Sequence, residues 1–240
     1  MPHSYIKKIL NARVYDVARE TPLDAAPLLS SRLNNQIWLK REDLQPVFSF
    51  KCRGAYNKMS RLDESARQAG VVAASAGNHA QGVALAAQKL SIKATIVMPV
   101  TTPAIKVDAV RARGARVVLF GDTFDEAALK AADLVATQGL TFIHPFDDPD
   151  VIAGQGTVAM ELVRQAPGPL DYVFICCGGG GLLAGMAAYL RYTWPNTRII
   201  GVEPEDAACT QAALRKGRRV TLKEVGLFAD GCAVAQVGKE

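Results

Sequence analysis

Apolar runs rich in β-branched residues alternate with helical patterns along most of this chain, and that alternation restricts the fold more than any other feature. The runs are GVVAAS (70–75), KATIVMPV (93–100), ARVVLFG (115–121), DYVFICC (171–177) and TRIIGVEP (197–204). They are almost uninterrupted by polar residues, as strands covered on both faces are. Between them, HAQGVALAAQKL (79–90), PAIKVDAVRARG (103–114), TFDEAALKAADLVATQG (123–139) and LLAGMAAYLRYTW (182–194) carry helical periodicity. Pro103 suits a first helical turn, and Gly114 and Gly139 suit helix ends. Such alternation predicts βαβ units, a mostly parallel sheet and an α/β fold.

With 240 residues, the chain has room for one large domain or two smaller ones around a real core. Hydrophobic content of 49% with 21% charged residues excludes disorder. The net charge of +5 is scattered, which favours anionic ligands mildly and predicts no nucleic-acid partner. The cysteines are Cys52, Cys176, Cys177, Cys209 and Cys232, an odd number without CxxC or metal-type spacing. A reducing compartment and no bound metal are expected. The start, MPHSYIKKILNARVYDVARE, lacks a signal-peptide apolar segment, and no apolar run reaches transmembrane length. A cytoplasmic chain with no membrane partner is therefore expected.

Three short segments carry chemistry. DYVFICC runs into Gly178-Gly179-Gly180-Gly181, and Leu182 follows at the start of a helical pattern. A strand, a glycine turn and a helix N-terminus form an anion site, because the backbone approaches a phosphate closely and unpaired N–H groups point at it. The alternative is a flexible turn that packs a helix onto a sheet. No Gly-Lys-Ser/Thr follows, so the segment is not a Walker loop. A second loop, Ser75-Ala76-Gly77-Asn78-His79, also joins a strand to a helix. Its Ser75, Asn78 and backbone amides could grip a carboxylate or a ring hydroxyl; alternatively Asn78 only caps the helix. His79 is expected to pack or cap rather than catalyse. The third segment, FSFKCRGA (48–55), places Lys51 between Phe50 and Gly54, beside Arg53. A lysine becomes a nucleophile when its pocket lowers its pKa. Lysine, phosphate cradle and polar loop together point to a phosphate-bearing aldehyde cofactor bonded to an amine.

SFKCRGA (49–55), SAGNHAQG (75–82) and CGGGGLLAG (177–185) resemble the fold-type II pyridoxal-phosphate enzymes, the tryptophan synthase β-like family, and are closest to its biosynthetic threonine dehydratase (threonine deaminase) branch. TPL (21–23), WLKREDLQPVFSFK (38–51), IVMP (96–99), IKVDAVRARGA (105–115), HPFDDPDVIAGQGT (144–157), GVEPEDAAC (201–209) and VGLFADG (225–231) extend the resemblance along nearly the whole chain. It implies a two-lobed fold, each lobe an open, mostly parallel sheet flanked by helices. Residues 1–55 and 150–240 would form the larger, cofactor-binding lobe, with 56–149 inserted as the smaller one. The chain would cross between them near Arg53–Leu62 and Pro145–Gly154.

The resemblance also implies pyridoxal 5'-phosphate as cofactor, with Lys51 bonded to its aldehyde and later moving the substrate α-proton. Phe50 would neighbour the cofactor ring, and Asn78 would hydrogen-bond the ring hydroxyl. The backbone of Gly178, Gly179, Gly180, Gly181 and Leu182 would bind the phosphate. Ser75, Ala76, Gly77, Asn78 and His79 would receive the substrate carboxylate. Gly54 would let a helix start close by, and Arg53 would be a surface or structural ion-pair partner. The implied lyase reaction is α,β-elimination of L-threonine to 2-oxobutanoate and ammonia, the first step of isoleucine biosynthesis. L-serine would be a second substrate, and the protein a dimer or tetramer of identical chains.

Two departures from the family pattern matter. Family catalytic domains continue past the VGLFADG region, where a later strand faces the pyridine nitrogen, so the chain is expected to be incomplete at its C-terminal end. Related racemases and dehydratases carry a metal site after a GVEP-like strand. Glu203 and Ala207 match its first positions, but Cys209 stands where an acid is expected. Ala76 stands where racemases place a proton-donating serine. A serine racemase, another β-replacement enzyme, and a catalytically incomplete protein of this fold are the alternatives.

Overall fold

The computed structural model describes residues 2–226 and 228–240, so Leu227 of the VGLFADG segment lies outside the described residues. Helix α1 (Pro2–Leu10) buries Ile6 and Ile9. Strand β1 (Leu23–Ala25), helix α2 (Pro27–Leu33) and strand β2 (Trp38–Lys40) follow, the two strands pairing antiparallel. Helices α3 (Lys51–Met59) and α4 (Glu64–Ala69) lead into β3 (Val71–Ala74). Next come α5 (Asn78–Leu90), β4 (Ala94–Met98), α6 (Ala104–Arg111), β5 (Arg116–Leu119), α7 (Phe124–Gln138) and β6 (Thr141–Phe142). The rest comprises α8 (Pro149–Gln165), β7 (Tyr172–Cys176), α9 (Gly181–Thr193), β8 (Arg198–Val202) and α10 (Cys209–Lys216).

The expected parallel α/β arrangement is present. One sheet has the order β5-β4-β3-β6, and β7 pairs with β8 in another; all these pairings are parallel. Every residue of β3 is buried, as its continuous apolar run requires. Helices α5 and α6 cover one side of this sheet through Val83, Ala87, Val107 and Val110; α7 covers the other through Ala127, Ala131 and Leu134. Local chemistry sets the ends of α7. Thr123 and Glu126 form a reciprocal capping box, and Gly139 closes the helix at φ +66°. The other two helix-end expectations differ from the structure in detail. Pro103 lies just before α6, and Gly114, at φ +80°, lies beyond its Ala112 cap.

The runs at 115–121, 171–177 and 197–204 contain strands, but these are not buried on both faces: β5 is an edge strand whose Arg116 and Leu119 are exposed. Val173 and Ile175 pack on α8 and α9, whereas Phe174 is 69% exposed and Val202 47%. Only one face of this strand pair lies against helices, so alternate side chains meet solvent.

Helix α8 is the longest, and the reading of helical periodicity passed over it because Gly154 and Gly156 interrupt its pattern. Its start is nevertheless marked: Pro149 occupies the first turn, and Asp148 Oδ1 accepts the Asp150 and Val151 N–H groups at 2.8 and 3.2 Å. The glycines are crossing points. A Cβ on Gly154 would lie 2.7 Å from the Arg53 carbonyl oxygen of α3, and one on Gly185 of α9 would lie 2.3 Å from the Ile152 carbonyl oxygen. Gly54 sits inside α3 and lets the first turn of α8 lie close by; a Cβ there would lie 2.7 Å from the Val151 carbonyl oxygen. Gly185→Ala should force α8 and α9 apart and cost about 1–3 kcal/mol, read as a lower denaturation midpoint with the fold retained.

Candidate functional site

Lys51 opens α3. The turn before it is tight: Phe48 holds φ +56° and its N–H donates to the Gln45 carbonyl at 2.8 Å, which turns Ser49 back into the protein. Lys51 is half-buried as a residue, but its amine end is enclosed by protein. Nζ donates to the Pro145 carbonyl at 2.8 Å and lies 5.5 Å from the centre of the Phe50 ring. Burial pushes the amine down to about 8, against a small opposing influence from the Cys176 and Cys232 thiols. The unfolded chain would keep this lysine protonated to about pH 10.4. Between those values it binds more protons than the folded chain, so stability rises with pH there.

The Ser75–His79 loop meets Lys51 through α5. A Cβ on Gly82 would lie 3.0 Å from the Lys51 carbonyl, so α5 packs on the backbone of the amine-bearing residue. Ser75 Oγ accepts the Gly77 and Ala80 N–H groups, both at 3.3 Å, and so does the capping considered for Asn78. Asn78 itself is exposed on the first turn, with Gly77 at the N-cap, while Ala76 is half-buried. The His79 ring points into the core, where Nε2–H donates to the Ile143 carbonyl at 2.8 Å. Burial, and secondarily the Lys51 charge, drives its pKa down to about 3. The ring is therefore neutral above that value, which leaves the first-turn backbone, not the imidazole, as the part suited to an anion.

The glycine turn joins β7 to α9, with Gly180 at the N-cap at φ +94° and Gly181 as the first helical residue. The glycines are there for different reasons. A Cβ on Gly179 would lie 2.3 Å from the Phe146 ring, and one on Gly181 would lie 2.7 Å from the Phe146 carbonyl oxygen. Gly178 faces the Cys232 backbone at 3.1 Å. Of the four, only Gly180 holds the left-handed conformation, and a Cβ there would meet one side chain alone, Val237, at 3.3 Å. The Leu182 side chain packs into the core beside Met186, leaving its backbone at the helix start.

The loop before α8 ties these parts together, a role not apparent from the sequence. Pro145 receives the Lys51 amine, and the next residue, Phe146, lies on the glycine turn. His144 shapes the loop: its Nδ1 accepts the Phe146 and Asp147 N–H groups at 3.2 and 2.8 Å, and its ring meets Phe146 edge-on at 4.7 Å. The inward-facing carbonyl of Pro145 had no sequence signal.

Elsewhere, Glu203 accepts the Thr210 and Gln211 N–H groups at 2.8 and 2.9 Å and caps α10. Among the described residues, no group of three or more His, Cys, Asp or Glu is placed to hold a metal. No helix among them is long and apolar enough to cross a membrane.

An enclosed amine of lowered pKa, a left-handed glycine turn and the positive end of a thirteen-residue helix are features that an anion-bearing carbonyl compound would use. The residues fit pyridoxal phosphate. Residues 14–240 match the family described as pyridoxal-phosphate dependent enzyme. The chain is 56% identical over 241 residues to the biosynthetic L-threonine dehydratase of Burkholderia multivorans, covering 99% of this chain and 48% of that protein. It is 58% identical over 236 residues to a biosynthetic, chloroplastic threonine dehydratase of Arabidopsis thaliana, covering 98% of this chain and 40% of that one. It thus spans less than half the length of these relatives. The processed form of threonine deaminase isoform 2 from Solanum lycopersicum superposes with a TM-score of 0.97 at 55% identity, covering 99% of this chain and 69% of that one. Maize serine racemase superposes at 0.92 with 32% identity, covering 97% and 71%. The chain belongs to the pyridoxal-phosphate dependent enzyme family.

Proposed function

We propose that this chain carries the catalytic site of a threonine ammonia-lyase, which eliminates water from L-threonine to give an enamine whose imine form then takes up a water and is hydrolysed to 2-oxobutanoate and ammonia, with L-serine as a second substrate. The observation that carries this reading is the enclosed Lys51 amine, set beside the loop that lies on the glycine turn. The choice of dehydratase over racemase is supported by the higher identity to the threonine dehydratases and by Ala76, which has no hydroxyl to serve a second face.

Pyridoxal phosphate supplies the electron sink that makes an α-proton removable. Lys51 Nζ accepts and returns that proton; with its pKa at about 8, roughly a tenth of the amine is unprotonated at neutral pH. The backbone amides of Gly178, Gly179, Gly180, Gly181 and Leu182 would hold the phosphate, aided by the α9 dipole. Asn78 would orient the cofactor, and Phe50, whose ring centre lies 5.5 Å from the Lys51 amine, would flank it. The substrate carboxylate sits on the loop Ser75, Ala76, Gly77, Asn78 and His79, at the N-terminus of α5. Residues 56–149 move as a smaller lobe against residues 1–55 and 150–240, closing over the substrate and excluding water. The sheet β5-β4-β3-β6 lies wholly within that smaller segment.

The test supplies pyridoxal phosphate with L-threonine or L-serine and measures 2-oxo acid, ammonia and D-serine. Ammonia and 2-oxobutanoate in equal amounts are expected from threonine. D-serine from L-serine with no 2-oxo acid from either substrate would replace the lyase with a racemase.

A further inference from the structure

Arg53 lies two residues after Lys51, in the first turn of α3, and is wholly buried. A cation there opposes the helix dipole, whose positive end is at this terminus. Its surroundings account for its place. Nε and Nη2 donate to the two Glu42 oxygens, each at 2.8 Å; Nη1 donates to Glu161 Oε1 at 2.6 Å and Thr157 Oγ1 at 3.1 Å; Nη2 also donates to the Arg19 carbonyl at 3.2 Å. A guanidinium has five N–H donors, and these five bonds use them all. Burial opposes the charge, but the carboxylates of Glu42 and Glu161 outweigh it and raise the Arg53 pKa. Glu161 is held in turn by Lys40 Nζ at 2.6 Å and by Tyr15 at 3.0 Å.

The arginine expected to be a surface or structural ion-pair partner is therefore a fully satisfied, buried one. It fastens the start of α3 to α8 and to the turn at Glu42. We propose that Arg53, clamped by Glu42 and Glu161, is a positioning residue that fixes the seat of the Lys51 amine in the site. The proposal rests on the reading of Lys51 as the reactive amine. The planar fork allows little rotation or translation, and Lys51 shares its helical turn. On the opposite side, the Gly82 backbone abuts the Lys51 carbonyl. A loosened clamp lets the amine move toward solvent. The groups facing that amine are His79 from α5, His144 and the Pro145 carbonyl from the loop before α8, Cys176 from β7 and Cys232 from the C-terminal segment. The clamp touches none of these, so its effect on the amine runs through position.

The test measures the pH dependence of Lys51 acetylation by trace acetic anhydride, read by mass spectrometry in the full chain, with and without pyridoxal phosphate. Arg53→Lys, Glu42→Gln and a core control of similar stability loss, Ile96→Ala, are compared with the unsubstituted chain. The midpoint for Lys51 should rise from about 8 by about one pH unit or more in Arg53→Lys and Glu42→Gln, and stay in place in Ile96→Ala. Unmoved midpoints in both clamp variants, or an equal rise in the control, would overturn the proposal. Failure of both clamp variants to fold would overturn it too, in favour of a structural role alone. If pyridoxal phosphate fails to protect Lys51 in the unsubstituted chain, the reading of Lys51 as the reactive amine falls, whatever the clamp does.

Discussion

Lys51→Ala should leave a folded chain that borohydride no longer joins to pyridoxal phosphate, and the proposed lyase activity should fall about a thousandfold or more. The fold should survive because little depends on the amine: it donates to the Pro145 carbonyl, and α3 is anchored by Arg53 and by its crossing with α8. Burial holds the amine at about 8, so at neutral pH the folded chain bears the cost of a poorly solvated cation, which alanine removes. Thermal stability at pH 7 should therefore be unchanged or higher, apart from the small cavity left behind. Peptide mapping after borohydride reduction locates the cofactor directly. Trapping on another lysine, or undiminished turnover by Lys51→Ala, would refute the assignment.

Gly180→Val should weaken pyridoxal phosphate binding by about tenfold or more, equivalent to about 1.4 kcal/mol. The other three glycines are poor probes, because side chains there would strike Phe146 or the Cys232 backbone before reaching a ligand. At Gly180 the added Cβ meets only the Val237 side chain, at a tight 3.3 Å that a small shift of that side chain relieves, but its φ of +94° disfavours a β-branched residue. Strain and blocked approach can be separated by titrating with pyridoxal, which lacks the phosphate. If the turn holds the phosphate, the variant loses affinity for the phosphorylated compound and little for the other. Equal losses for both would assign the effect to backbone strain, and normal binding of both would remove the phosphate from this turn.

Much of the fold was legible because it is local. β-Branched runs and helical periods are written within short windows, and β3, β4, β5, β7 and β8 all fall inside the apolar runs. The glycine turn and the strand-to-helix loop were legible for the same reason. Helix α8 was less so: glycine weakens a helical signal, and the reason for Gly154 and Gly156 lies on other helices. The solvent-facing side of β7 was hidden as well, because an apolar residue does not record whether its neighbour is a helix or water.

The sequence by itself determined which groups this chain has for chemistry: an amine at Lys51, glycines where a strand meets a helix, and a parallel α/β frame to hold them. Tertiary structure decided their condition. It enclosed Lys51 until the amine fell to about 8, turned the His79 ring into the core, and brought Pro145 and Phe146 between the amine and the glycine turn. It also gave Arg53 five acceptor atoms from four residues, four of those atoms on side chains. Desolvation and hydrogen-bond completion depend on groups distant in sequence, and no window around Lys51 contains Glu161.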